Sequence, residues 1–230
     1  MAKKIGILGG LSPESTVEYY LYLTRTYTER YGNYAYPEII IYSVSFQPYV
    51  DWPASGRWDL IAQGLSEAAQ KLEAAGADFI IIAANTMHLV IDPIRAAVHI
   101  PVLSLLDAVG DAVLERGLHT VGLLGTISTM EKGFYQEALA RRGINVLTPD
   151  AEDRRYVSDV IYNELVAGKL RPEARTRYVE IIQRLADHGA QGVILGCTEI
   201  PLLVSQAGTN LPLFDTTRIH AEAALAFSLK

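Results

Sequence analysis

The sequence predicts an α/β protein of two pseudo-symmetric lobes, each a mainly parallel sheet flanked by helices, with a site in the cleft between them. Three observations predict it. Short apolar runs alternate with long amphipathic stretches, the pattern of strand–helix units feeding a parallel sheet. The order of those units in the first half recurs in the second. Matched apolar runs end in matched polar loops, and in open α/β sheets ligands bind at the carboxyl ends of strands.

The elements follow in order. "KIGILGG" reads as a first strand. The next stretch opens with Ser12 as N-cap and Pro13 at the first helical position, and Gly32 closes it. "PEIIIYSVSF" is a strand and "DLIAQGLSEAAQKLEAAG" a helix ending at Gly76. "DFIIIAA" is continuously apolar between turn signals, so it reads as a buried strand. "IPVLSL" is another.

From His119 the pattern restarts. "HTVGLLGTISTMEKG" mirrors "KKIGILGGLSPEST", with Gly6 and Gly9 matching Gly122 and Gly125 and Thr129 capping the new helix. "YVEIIQRLADHGAQGVILGCTEI" mirrors "AAQKLEAAGADFIIIAANTMH". Gly76 pairs with Gly189 and Ile81 with Ile194; without a gap, Ala84 pairs with Cys197. "IPVLSLLDA" is echoed by "LPLFDTTRI". The expected division is 1–105 with 216–230 as one lobe, 106–208 as the other, and 209–215 as a return strand or linker.

Composition narrows the function classes. The chain has 230 residues, half of them hydrophobic, with formal net charge −6 and a single cysteine. Lys and Arg form no basic stripe, which argues against nucleic acid. One cysteine forms no internal disulfide, which fits a reducing compartment. The longest apolar run is far short of the roughly 20 residues of a membrane helix. A cytoplasmic protein without membrane or nucleic-acid partners is expected. The five His show no ligand spacing, so no metal is expected. "GILGG" and "GLLGT" do not make G-x-G-x-x-G, and no nucleotide cofactor is expected. His88 and His220 read as structural residues. Tyr19, Tyr20, Tyr22 and Tyr27 read as a packing or dimer face, and a homodimer is expected. Asp150, Glu152, Asp153, Arg154 and Arg155 read as a solvated loop.

The motifs "GILGGLSPEST", "AANTMH", "GTISTM" and "GCTEIPLL" resemble the aspartate/glutamate racemase family of cofactor-independent amino-acid racemases. The likeness spans nearly the whole chain and is greatest to the bacterial aspartate/glutamate-specific branch. It implies an active site between two lobes, with two thiols flanking the substrate Cα. One precedes the "NT" of the first lobe, and in some members is Thr; the other lies in the "GCT" of the second. One takes the α-proton and the other returns a proton to the opposite face. Carried over, Cys197 is the second-lobe base, followed by Thr198 and Glu199. Asn85, Thr86 and Met87 contact the substrate carboxylate and amine. Gly9, Gly10, Leu11 and Ser12 form the loop floor; Gly125, Thr126 and Thr129 do so in the second lobe. Lys169 matches a family lysine that can meet an acidic side chain.

Three departures qualify that reading. Ala84 stands at the position of the missing first base, and a methyl group transfers no proton. Ser45 replaces an acidic or amide residue. Pro53 and Ala54 replace a Gln-Arg pair that reads the substrate; Arg57 is the displaced candidate to stand in. The expected ligand is a small carboxylate, an amino acid. Three readings of Ala84 stay open: loss of the first base by evolution or design, protonation of that face by another group or water, and a move to single-thiol chemistry. The last is the arrangement of arylmalonate decarboxylases in the same superfamily. A non-catalytic binder of a small carboxylate is a third class. Thiol position adds one expectation: at a strand-to-helix turn Cys197 faces helix N–H groups, which favour the thiolate.

Overall fold

Continuously apolar runs such as Phe79–Ile82 form strands buried on both faces, at the centre of a sheet. The computed structural model describes residues 2–230. In chain order the first elements are β1 (Ile5–Gly9), α1 (Pro13–Tyr31), β2 (Ile39–Ser43), α2 (Gln47–Ala54) and α3 (Trp58–Ala74). Then come β3 (Phe79–Ile82), α4 (Ile91–Ala96) and β4 (Val102–Leu103). The chain continues through α5 (Leu105–Glu115), β5 (Thr120–Leu124), α6 (Ile127–Glu131), α7 (Phe134–Ala140) and β6 (Asn145–Leu147). It ends with α8 (Ala151–Asn163), α9 (Pro172–Asp187), β7 (Val193–Leu195), α10 (Ile200–Leu203), β8 (Leu213–Asp215) and α11 (Thr216–Ser228).

Two units result. The first runs to Leu105 and takes up Thr217–Lys230; the second is Leu106–Thr216. Residues 209–215 contain β8, which pairs with β7 in the second sheet.

The first unit holds a four-stranded sheet of order β2-β1-β3-β4, and all three pairings are parallel. Side chains alternate across it. Leu8, Ile80 and Ile82 pack on one face with Ile61, Leu65 and Leu72 of α3 and Ile94 of α4. Ile5, Ile7, Phe79 and Ile81 pack on the other with Tyr19 and Leu23 of α1 and Ala221, Ala224 and Leu225 of α11. Burial of each large side chain stabilises the unit by about 1.5–3 kcal/mol. The caps of α1 match the sequence: the Ser12 hydroxyl accepts from the Ser15 N–H, and Gly32 closes the helix at φ 66°.

The second unit repeats this plan, with order β6-β5-β7-β8 and parallel pairing throughout. Register repeats as well as order. Gly6 pairs with Ile80 in the first sheet, and Gly122 with Val193 in the second. Position 84 lies two residues beyond β3, and position 197 two residues beyond β7. The gapless alignment of the two halves is therefore physical: both residues leave the third strand of their sheet at the same place.

Two local readings are corrected. Thr126, not Thr129, caps α6; its hydroxyl accepts from the Thr129 N–H. The Asp150–Arg155 run is not a solvated loop but the start of α8. Asp150 is the N-cap and Asp153 is buried, held by Arg177 at 3.0 Å and Arg184 at 2.6 Å. Both arginines come from α9.

Candidate active site

In the first unit two strand ends are brought together. Gly10, Leu11 and Ser12 link β1 to α1, and Ala84, Asn85, Thr86 and Met87 follow β3, the neighbour of β1. The buried Ser15 hydroxyl joins the two loops by donating to the Ala83 carbonyl at 2.8 Å. Leu11, Ser12, Ala84, Asn85 and Met87 are all buried. Gly10 has φ 81°, and a Cβ there would lie 2.4 Å from the Val44 carbonyl oxygen. Only glycine fits a left-handed residue so close to backbone. Its N–H donates to the Thr16 hydroxyl at 2.8 Å, so the loop floor is fixed.

In the second unit Cys197 lies just beyond β7. Thr129 packs against the glycine before it: a Cβ on Gly196 would meet Thr129 Cγ2 at 3.2 Å, and one on Gly125 would meet it at 2.9 Å. Thr126 and Thr129 exchange a hydroxyl hydrogen bond at 3.1 Å. Glu199 is buried and turns back on the cysteine. The Cys197 thiol donates to Glu199 Oε2 at 2.9 Å, and the Thr198 hydroxyl donates to the same oxygen at 2.6 Å.

This geometry reverses the expectation of a favoured thiolate. Burial pushes the thiol well above its ordinary pKa, and the Glu199 carboxylate pushes it further. The Glu199 and Thr198 N–H groups act the other way and are outweighed. The helix that follows, α10, has only four residues and little dipole to offer. Cys197, a half-buried residue, therefore rests as a protonated donor to Glu199.

Tyr162, at the end of α8, lies beside this group, and no sequence pattern points to it. The residue is largely exposed, yet partial burial of its hydroxyl first, then the neighbouring Cys197, raises that hydroxyl. Tyr178 of α9 backs the same region: its hydroxyl donates to the Val157 carbonyl at 2.8 Å, and burial and then Cys197 raise it strongly.

The two expected cations are less closely joined to these groups. Lys169 is exposed, beyond the left-handed Gly168, with its N–H donating to the Glu164 carbonyl at 2.9 Å. Arg57 is exposed between α2 and α3 and is engaged with Asp59, Nη2 to Oδ2 at 2.7 Å. Ser45 is exposed after β2, while Pro53 and Ala54 close α2. Among the described residues no group of three or more His, Cys, Asp or Glu could hold a metal ion, and no helix is long and apolar enough to cross a membrane.

Comparison with known proteins decides the family. The family model described as Asp/Glu/Hydantoin racemase matches residues 8–224. The chain belongs to the Asp/Glu/hydantoin racemase family. This family member is 25% identical over 229 residues to the broad specificity amino-acid racemase RacX of Bacillus subtilis (strain 168), covering 96% of each chain. It superposes with TM-score 0.94 and 43% identity on a Yersinia pestis crystal structure provisionally assigned as an Asp/Glu racemase, covering 99% of this chain and 100% of that one. A structure of an aspartate racemase homologue from Pyrococcus horikoshii OT3 gives TM-score 0.86 at 38% identity, covering 99% and 100%. Two parallel four-stranded sheets flanked by helices are thus the fold of the racemase family.

Proposed function

We propose that this family member is an amino-acid racemase of the aspartate/glutamate type, working without a cofactor by proton transfer at Cα, in an impaired form that exchanges the α-proton on one face and makes little of the opposite isomer. Cys197 is the acid/base residue, and the opposite-face base is missing at Ala84. The observation that carries this is the Cys197–Glu199 pair at the end of β7, in register with Ala84 at the end of β3. In the first half of the step the thiol proton passes to Glu199, and the sulfur takes the α-proton. The C–H electron pair stays on the substrate as a carbanion. Amide and hydroxyl donors at Asn85, Thr86, Thr126 and Thr198 oppose the charge that develops on the carboxylate. A placed acid/base group gives about 10²–10⁴-fold, and fixed donors about 10²–10³-fold more.

The substrate is a small amino-acid carboxylate. Arg57 is engaged by Asp59, and Ser45, Pro53 and Ala54 replace side-chain-reading residues. These features fit a range wider than aspartate and glutamate, as in the relative named for broad specificity. The same reading has the protein act in the cytoplasm, as a homodimer without pyridoxal phosphate, each lobe supplying one strand-end loop.

One observation favours a second reading. A thiol held protonated is better prepared to give a proton than to take one. In single-thiol decarboxylation, loss of CO₂ leaves the electron pair on carbon and the Cys197 proton fills that site; water then reprotonates the sulfur.

Ala84→Cys tests the racemase reading. It supplies a proton carrier at the first position, and chiral chromatography of L-aspartate and L-alanine reactions should show D-isomer formation raised by about 10²–10⁴-fold. No gain in this variant, together with CO₂ release from an arylmalonate by the parent chain, would support the second reading instead.

A further inference from the structure

We propose that His88 is a positioning residue for the candidate site: its ring ties the Ala84 carbonyl to the Leu105 amide and so fixes the loop that carries position 84, Asn85 and Thr86. The inference rests on the racemase reading for its functional consequence. His88 is buried, and its Nδ1 lies 2.8 Å from the Ala84 carbonyl oxygen. The Leu105 N–H donates to Nε2 at 3.1 Å. A nitrogen that accepts from an amide holds a lone pair, so the proton is on Nδ1 and is donated to Ala84. The ring is thus neutral, in one tautomer, with both nitrogens engaged.

Backbone hydrogen bonds close the loop around that carbonyl. Ala84 N–H donates to the Ile82 carbonyl at 2.8 Å, and His88 N–H to the Asn85 carbonyl at 3.0 Å, which closes one tight turn. The Ala83 carbonyl is held by Ser15 from the opposite side. Successive carbonyls at 83 and 84 therefore have separate side-chain donors, and the peptide that presents position 84 cannot rotate freely. The ring itself is braced. His220 meets it edge-on at 5.6 Å, and His220 in turn is fixed by the Tyr19 hydroxyl at 2.9 Å and the Leu103 carbonyl at 3.2 Å. Leu103 and Leu105 flank the end of β4, so the brace joins the β3 loop to the strand beside it.

The test compares His88→Asn with His88→Phe in the full chain. The Asn side-chain amide can donate to the Ala84 carbonyl; Phe cannot. Both lose the acceptor for the Leu105 amide. Two readouts are needed: the backbone amide resonances of Asn85 and Thr86, and α-deuteration of L-aspartate and L-alanine in D₂O. In the Phe variant both amides should shift and deuteration should fall about tenfold to a hundredfold, the scale of a small misplacement. The Asn variant should restore both most of the way although the two variants melt alike. Unmoved amides in the Phe variant would overturn the positioning role. Moved amides with unchanged deuteration would overturn its bearing on the reaction. A parent chain that deuterates neither amino acid would sink the racemase reading, and the amide shifts would still decide what His88 holds.

Discussion

The Cys197 thiol and the Glu199 carboxylate share one proton donor and one acceptor, so each controls the other. With the thiol pushed up by burial and by Glu199, Glu199→Gln should lower it toward the ordinary range. The chain has one cysteine, so alkylation reports this site alone. Iodoacetamide labelling at pH 8, followed by mass spectrometry, should run roughly tenfold faster in the Gln variant because the thiolate is the reacting form. An unchanged rate would mean the carboxylate does not govern the thiol. The linkage has a sign. A thiol whose folded-state pKa is raised holds its proton more tightly folded than unfolded. Its contribution to stability is full below the unfolded pKa of about 8.5 and is lost as pH rises above it.

At the scale of elements, α8 and the α1–α11 pair carry the tests. Asp153 is buried between Arg177 and Arg184. Asp153→Asn should cost about 1–3 kcal/mol in urea unfolding, the lower part because both arginines reach water. His220, on α11 and buried against Tyr19 of α1, is lowered to about 3, chiefly by burial. A depressed histidine stabilises the fold above its unfolded pKa of about 6.5, and that contribution is lost as pH falls below it. The melting temperature should drop between pH 7 and pH 5, and His220→Phe should drop less over that range while starting lower. Equal slopes would remove His220 as the cause. These elements also show what was legible. The caps Ser12 and Gly32 were readable because their partners are a few residues away. The burial of Asp153 was not, since Arg184 reaches it from 31 residues along the chain. The alternating charges of 150–155 looked solvated because their partner helix cannot be seen in them. Two threonines three residues apart offer the same capping hydroxyl, and only backbone direction chooses Thr126 over Thr129.

Over the whole chain the repeat was the most legible feature, and it recurs in the register of both sheets. Apolar runs and glycines mark strand ends, so the positions of 84 and 197 followed from alignment of the halves. What each site does with its proton was not legible. It depends on Glu199 folding back toward Cys197 and on His88 reaching the Ala84 carbonyl. Neither contact has a periodic signature. The central claim is that this chain has one acid/base group at Cα rather than two. The most direct measurement follows L-aspartate and L-alanine in D₂O by proton NMR with chiral separation, for the parent and for Cys197→Ala. The account predicts α-deuteration with retention by the parent, little D-isomer, and none of either after Cys197→Ala. Rapid D-isomer formation by the parent, or deuteration that survives Cys197→Ala, would contradict it.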